Sequence, residues 1–283
     1  VRPELRLPTG RVSRLDIRVD FEAGRIATVE PQSRVGLGQI ELAELRGPDN
    51  ETRTPVSVEE LPSHTVQAVL AMEDARFYEH EGLDPLGIAR AVGRNLLGGG
   101  PMQGGSTLTQ QVIKNLILTP ERTVERKAEE ALYAIALERS RSKDEILELY
   151  LNEIYWGQAG GAAVCGVDQA ARSYFGKPAA RLNLEESATL AGIISAPNRY
   201  SPLRHPEEAL ERRNVALRRM VDAGFLLEEE REELATRELG AVSPPAPPGA
   251  WMVDEAIEQV EKQLGEGAVL AQSLSVHTSI HPI

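Results

Sequence analysis

Hydrophobic positions along this chain follow two different periods. Up to residue 56 they alternate with polar ones in short runs, Val12-Ser13-Arg14-Leu15-Asp16-Ile17-Arg18-Val19, then Arg25-Ile26-Ala27-Thr28-Val29, then Gln39-Ile40-Glu41-Leu42-Ala43-Glu44-Leu45, broken by Gly and Pro. A period of two puts alternate side chains on opposite faces of a strand, so residues 1–56 predict a small β-rich module. Over residues 57–242 the apolar spacing changes to three and four, the period of helices packed by one face. This is the main, mostly α domain. The run Ser243-Pro244-Pro245-Ala246-Pro247-Pro248-Gly249 then reads as a stiff extended linker. A helix from Val253 to Leu264 and a strand Ser273-Leu274-Ser275-Val276-His277-Thr278 follow. Residues 243–283 are too short for a domain and read as a truncated segment.

Composition narrows the function. The 283 residues carry a formal charge of −12, which argues against nucleic acid as partner, because binding it depends on a basic surface that releases counterions. Cys165 is the only cysteine, so neither an intrachain disulfide nor a Cys-rich zinc cluster can form. No stretch reaches the roughly 20 apolar residues of a membrane span.

Candidate chemistry begins with Glu73. Val66, Val69, Leu70, Glu73 and Phe77 share one helical face, so a carboxylate sits in an apolar line. Such a group must be paired, protonated or turned toward a cleft. A raised pKa would suit a general acid or base, whereas pairing with Arg76 or swinging into water would be the structural alternative. Next, Leu97-Gly98-Gly99-Gly100-Pro101-Met102-Gln103-Gly104-Gly105 forms a glycine-rich loop, and Thr107 and Gln110 have the spacing of a capping box. The loop is not a phosphate-binding P-loop, because Gly105 stands where the lysine belongs. It reads as a gate over a cleft or a linker. Lys114, Arg122, Arg126 and Lys127 then concentrate positive charge in 14 residues. Arg126 and Glu130 share a face, opposite a core line of Val124, Ala128, Ala131 and Ile135, so that face is available for an anion or for an ordinary surface ion pair. Ser140-Arg141-Ser142-Lys143 has the S-x-x-K spacing without its companion motifs and reads as coincidence. His80 and Cys165 read as structural, Ile146, Leu147, Tyr150 and Leu151 as core, and Glu228-Glu229-Glu230-Arg231-Glu232-Glu233 as a solvated helix face.

Five blocks in order carry a resemblance. They are Glu73-Asp74-Ala75-Arg76-Phe77-Tyr78-Glu79-His80-Glu81-Gly82, Gly105-Ser106-Thr107-Leu108-Thr109-Gln110-Gln111-Val112-Ile113-Lys114-Asn115, Arg126-Lys127-Ala128-Glu129-Glu130, Lys143-Asp144-Glu145-Ile146-Leu147-Glu148-Leu149-Tyr150-Leu151-Asn152 and Arg213-Asn214-Val215-Ala216-Leu217. Between Leu61 and Met220 the chain resembles the peptidoglycan glycosyltransferase (transglycosylase) domain of class A penicillin-binding proteins, of the 1b type. The resemblance implies a mostly α, lysozyme-like fold with Glu73 as general base and Glu130 as second carboxylate. It implies that Lys114 and Arg122 hold a lipid pyrophosphate, that Arg90, Ser106, Gln111, Arg126 and Lys127 line the same cleft, and that Asn115 and Asp74 support them. The implied substrates are lipid II and an undecaprenyl-pyrophosphate-linked glycan, at the membrane surface on the periplasmic face of the bacterial inner membrane. No obligatory cofactor is implied, and the family allows a divalent cation, Mg or Mn, near the pyrophosphate. Residues 1–56 resemble part of a UvrB-domain-like module that meets an outer-membrane lipoprotein activator, and residues 243–283 the approach to a transpeptidase domain. A lysozyme-like hydrolase or lytic transglycosylase, and a non-catalytic glycan-binding scaffold, are the rival readings.

Overall fold

The computed structural model describes residues 15–22, 25–31, 55–87, 105–116, 124–160, 162–242, 254–255, 257–258, 260–262 and 274–278. The strand expected at 39–45, the glycine-rich stretch up to Gly104, the proline-rich run and the candidate site residues Arg90 and Arg122 lie outside them. The described residues fall into two compact units, one helical over 53–159 and 164–244, the other drawn from 1–52, 160–163 and 245–283.

The second of these holds a three-stranded sheet. Strands β1 (Leu15–Glu22) and β2 (Arg25–Pro31) pair antiparallel, with a bulge at Asp20 and Phe21. Both begin or run within the alternating stretches read from the sequence. The late strand Leu274–Thr278 pairs in parallel with β1, Leu15 opposite Leu274 and Val19 opposite Thr278, so the sheet order is β2, β1, late strand. The two ends of the sequence, read as separate segments, therefore contribute to one sheet. Residues 254–262 have helical backbone at their described positions, with Ile257 and Val260 buried.

The helical unit contains α1 (Ser63–Glu73), α2 (Leu108–Leu116), α3 (Val124–Ser140), α4 (Lys143–Glu153), α5 (Val167–Phe175), α6 (Leu184–Ile193), α7 (Pro206–Asp222) and α8 (Glu228–Ala235). A short hairpin, β3 (Tyr155–Ala159) and β4 (Ala162–Cys165), separates α4 from α5. Helix starts follow local chemistry. Ser142 and Asn183 cap α4 and α6 with their side-chain oxygens, each with a Glu three residues on returning the bond. The S-x-x-K spacing at 140–143 is thus helix punctuation. The α8 carboxylates at 228–230, 232 and 233 are exposed, as a solvated face requires.

Helices α1, α6 and α7 pack together around Ala68, Val69, Ala188, Ala191, Ala216 and Leu217, all at most 1 % exposed. Small residues allow the close approach. A methyl group on Gly192 would lie 2.7 Å from the carbonyl oxygen of Arg212 on α7. Arg213, fully buried, is not a surface cation; its guanidinium donates to the carbonyls of Ala235, Arg237 and Glu238 and closes the end of α8. The Ala235 carbonyl, last of α8, has no following helical turn to bond.

One expectation holds only in part on α3, where Ala131 and Ile135 of the expected core line are half-buried. Its inward residues are Glu130, 2 % exposed, and Ala134, fully buried, with Leu137 packed on the core, whereas Ala128 is exposed and Leu132 is 68 % exposed. The alanines of the expected core line have little area with which to drive burial, and the charge of Glu130 is matched by its own neighbours, so the charged side turns in. Gly192→Ala is expected to destabilise the fold by about 1–3 kcal/mol through overpacking. Urea unfolding checks this, and an unchanged midpoint would refute the close contact of α6 and α7.

Candidate active site

Glu73 is the last residue of α1, half-buried, beyond Val69 and Leu70 on the apolar side. Its Oε2 accepts a 2.9 Å hydrogen bond from the side-chain amide of Gln111 on α2, and Tyr150 on α4 donates to the other end of that amide at 3.4 Å. Burial raises the Glu73 pKa above the ordinary carboxylate value. The Gln111 bond and the positive charges of Arg219 and Arg212 oppose this, and neighbouring Asp74 adds to it. The same burial, with the charges of Glu73 and Asp74, pushes the Tyr150 phenol well above its usual value. Gln111 therefore meets Glu73 with an amide donor and a phenol that keeps its proton. No ion pair joins Glu73 to Arg76, which bonds Glu79 and Asp84 instead.

The turn after Glu73 is tied down at each step. Asp74 ends α1, and its Oδ2 accepts from the backbone N–H of Leu108, the first residue of α2, and from His80 Nε2, both at 2.9 Å. The N–H of Gly82 donates to His80 Nδ1 at 3.2 Å, which makes Nε2 the protonated nitrogen. The Thr107 hydroxyl donates to the Gly82 carbonyl at 2.7 Å. Gly82 has φ +88°, and a methyl group there would lie 2.9 Å from the Ala134 backbone, so only glycine lets this turn rest on α3. Thr107 and Gln110 close the capping box at the start of α2, with bonds of 2.9 and 3.2 Å. Asp74 is thus a buried joint between α1 and α2 rather than a group offered to a ligand.

A second cluster lies along α2 and α3. Glu130 is buried, one oxygen held by Arg126 at 3.1 Å and the other by Lys127, whose ammonium also donates to Ser106 Oγ at 2.8 Å. Lys127 remains half exposed. Lys114 and Asn115 are exposed on the last turn of α2, three and four residues beyond Gln111 and hence on its face. The structure therefore brings Glu73, Asp74 and Gln111 into one network and Ser106, Arg126, Lys127 and Glu130 into another, with α2 carrying both Gln111 and Lys114. Both oxygens of Glu130 are taken by cations, and no three His, Cys, Asp or Glu side chains among the described residues gather as metal ligands. This donor set does not fit a divalent cation.

Sequence reasoning passed over Arg212 and Arg219, whose charges act on Glu73. They stand seven residues apart, two turns along one face of α7, and that spacing was the available signal. Arg219 donates to the Met72 carbonyl at 2.9 Å, while Arg212 donates to Gly192 and Ser195 and lies over the Tyr200 ring.

Because the folded-state pKa of Glu73 is raised, the native fold loses stability as pH climbs from the ordinary glutamate value through the raised one. Glu73→Gln is expected to be more stable than the native chain at neutral pH, with the difference vanishing below the ordinary glutamate pKa. Thermal unfolding across pH 3–8 checks the sign, and a variant less stable at pH 7 would contradict it.

Residues 39–221 match a family model described as transglycosylase. The chain is 47 % identical over 189 residues to penicillin-binding protein 1A of Aquifex aeolicus, covering 67 % of this chain and 26 % of that one. It is 37 % identical over 267 residues to penicillin-binding protein 1B of Vibrio cholerae, covering 92 % of this chain and 34 % of the relative. The crystal structure of penicillin-binding protein 1A from Haemophilus influenzae aligns with a TM-score of 0.42 at 22 % identity, over 89 % of this chain and 24 % of that one. The chain spans about a quarter to a third of the length of these relatives. By the family model and these relatives, the chain belongs to the transglycosylase family found in penicillin-binding proteins 1A and 1B.

Proposed function

We propose that the chain polymerises peptidoglycan glycan strands, joining lipid II to a growing glycan held on undecaprenyl pyrophosphate. One observation supports the reading: a half-buried carboxylate of raised basicity, Glu73, is held by Gln111 on the helix whose same face presents Lys114, and the Lys127–Glu130–Arg126 cluster is bonded to Ser106 just before that helix. A base and an anion clamp are what attack by a sugar hydroxyl on a glycosyl pyrophosphate needs.

Glu73 takes the proton of the acceptor GlcNAc 4-hydroxyl as that oxygen attacks the donor MurNAc anomeric carbon. The bond from that carbon to the pyrophosphate oxygen breaks, the pyrophosphate leaves with the electron pair, and the configuration inverts from α to β. Negative charge grows on the leaving oxygens, so cations fixed beforehand lower the barrier more than they tighten substrate. In this reading Lys114 and Lys127 face that charge. Glu130 keeps Arg126 and Lys127 in place, and Ser106, bonded to Lys127, sets the cleft edge. Arg90, Arg122 and Asn115 complete the clamp as the family resemblance implies.

A lysozyme-like hydrolase needs no pyrophosphate clamp, so the cluster favours transfer over hydrolysis. The proposal also places the site at a membrane surface on the periplasmic side of the inner membrane, with residues 1–56 as a docking module for an outer-membrane lipoprotein activator. Among the described residues no helix is long and apolar enough to cross a membrane.

Glu73→Gln is expected to lower the polymerisation rate by about 10²- to 10⁴-fold, the usual weight of a general base. In native protein the rate should rise with pH through a pKa above the ordinary glutamate range, since Glu73 must be ionised to accept a proton. Gel analysis of glycan made from labelled lipid II checks both. Native-rate polymer from Glu73→Gln, or hydrolysed disaccharide as the sole product, would overturn the reading.

A further inference from the structure

A further, partly buried ion pair stands outside the groups assigned so far and touches both α2 and the turn after Glu73. Glu138 on α3 has a side chain 6 % exposed, and Lys143 at the start of α4 one 21 % exposed. A single oxygen, Glu138 Oε1, accepts from the Lys143 ammonium at 2.7 Å and from the Thr109 hydroxyl at 2.5 Å. The same ammonium lies 4.4 Å from the centre of the Phe77 ring. The next residue, Asp144, accepts at 2.9 Å from Tyr78. Thr109 is two residues from Gln111 on α2, and Phe77 is four residues beyond Glu73 in the turn that follows it.

Burying such a pair is a poor way to gain stability. Well-packed apolar side chains of the same volume often do as well or better, because the charges must be stripped of water. What the pair supplies is geometry. An apolar contact is nondirectional, whereas a carboxylate shared by an ammonium and a hydroxyl fixes the distances among three backbones. The ammonium over the ring adds an attraction with its own preferred placement. Here the three are α2, α3 and α4, and through Phe77 the pair also reaches the turn that begins at Glu73.

We propose that Glu138 and Lys143 are positioning residues of the transfer reaction: their ion pair, seated on the Phe77 ring and the Thr109 hydroxyl, holds Glu73 and Gln111 at bonding distance. This rests on Glu73 being the general base. The pair touches neither substrate nor the cation cluster of Arg126 and Lys127. Losing it changes how Glu73 is presented, and it leaves the groups that bind pyrophosphate intact.

The test compares Lys143→Met, which keeps the apolar stem and removes the charge, with Lys143→Arg, which keeps a cation able to pair and to lie over a ring. In lipid II polymerisation, Lys143→Met is expected to lower kcat by about 10- to 100-fold, the scale set by small misplacements of reacting groups, with KM little changed. The acidic limb of kcat should move to lower pH: a Glu73 no longer held against Gln111 loses the amide bond that lowers its pKa but also part of the burial that raises it, and burial is the larger influence. The charged groups that act on Glu73, namely Asp74, Arg212 and Arg219, are untouched by these variants. Lys143→Arg should recover most of kcat and the native limb. Should circular dichroism find Lys143→Met unfolded, Thr109→Val takes its place, since it removes one hydroxyl at nearly constant volume, and the same drop and shift are expected. A lower melting temperature with native kcat and limb would make the pair merely structural and overturn the proposal, as would a loss that arginine does not relieve. Glu73→Gln run alongside separates the two readings. If it is inactive while Lys143→Met is native-like, only the positioning role fails, and if it polymerises at the native rate, the base assignment itself fails.

Discussion

One carboxylate oxygen, Asp74 Oδ2, is the joint on which the site is built. A helix start leaves N–H groups with no partner inside the helix, and a negative charge placed there is favoured by the helix dipole. Asp74 meets that need for α2 from the end of α1, with His80 locking its orientation. Because Glu73 immediately precedes this joint and Gln111 lies one turn into α2, the two arrive opposite each other without help from a loop. The proximity has an electrical side as well. Asp74 is among the groups that hold the basicity of Glu73 up, so the residue that places Glu73 also raises its affinity for a proton.

The two candidate carboxylates show how environment divides labour within one residue type. Glu73 faces a neutral amide, with its cations at a remove, and is free to exchange a proton. Glu130 is gripped at both oxygens by Arg126 and Lys127. It serves as a fixed counter-charge that lets cations crowd one side of an acidic protein without repelling each other into solvent. Burying it is tolerable only because both neighbours come from its own helix, one turn away.

Much of this was legible in the residues. The capping box at Thr107 and Gln110, the core face of α4 and the placement of Glu73 in an apolar line all rest on local rules that the folded chain obeys. The orientation of α3 was not legible. Its alanines and isoleucine gave a core face by period, and the face that turns in depends on what packs against the helix, the turn at Gly82 on Ala134 and Thr109 of α2 on Glu138, a tertiary fact. His80 was read as structural and is so, yet its partners, Asp74 and Gly82, depend on a turn whose path no period encodes. Arg213 stood at the head of the fifth resembling block with no role read for it. Only the carbonyls at 235, 237 and 238 reveal why a guanidinium is needed at a fully buried position.

The parallel pairing of β1 with the strand at 274–278 has a consequence for how the chain is made. Synthesis runs from the N-terminus, and domains tend to fold as they emerge. The hairpin of β1 and β2 is available at once, but the neighbour of β1 on its other side comes some 260 residues later, from Leu15 to Leu274. Until then β1 has an unpaired edge, the feature by which strands recruit foreign chains. Completion of this sheet is therefore a report that translation has passed the helical unit.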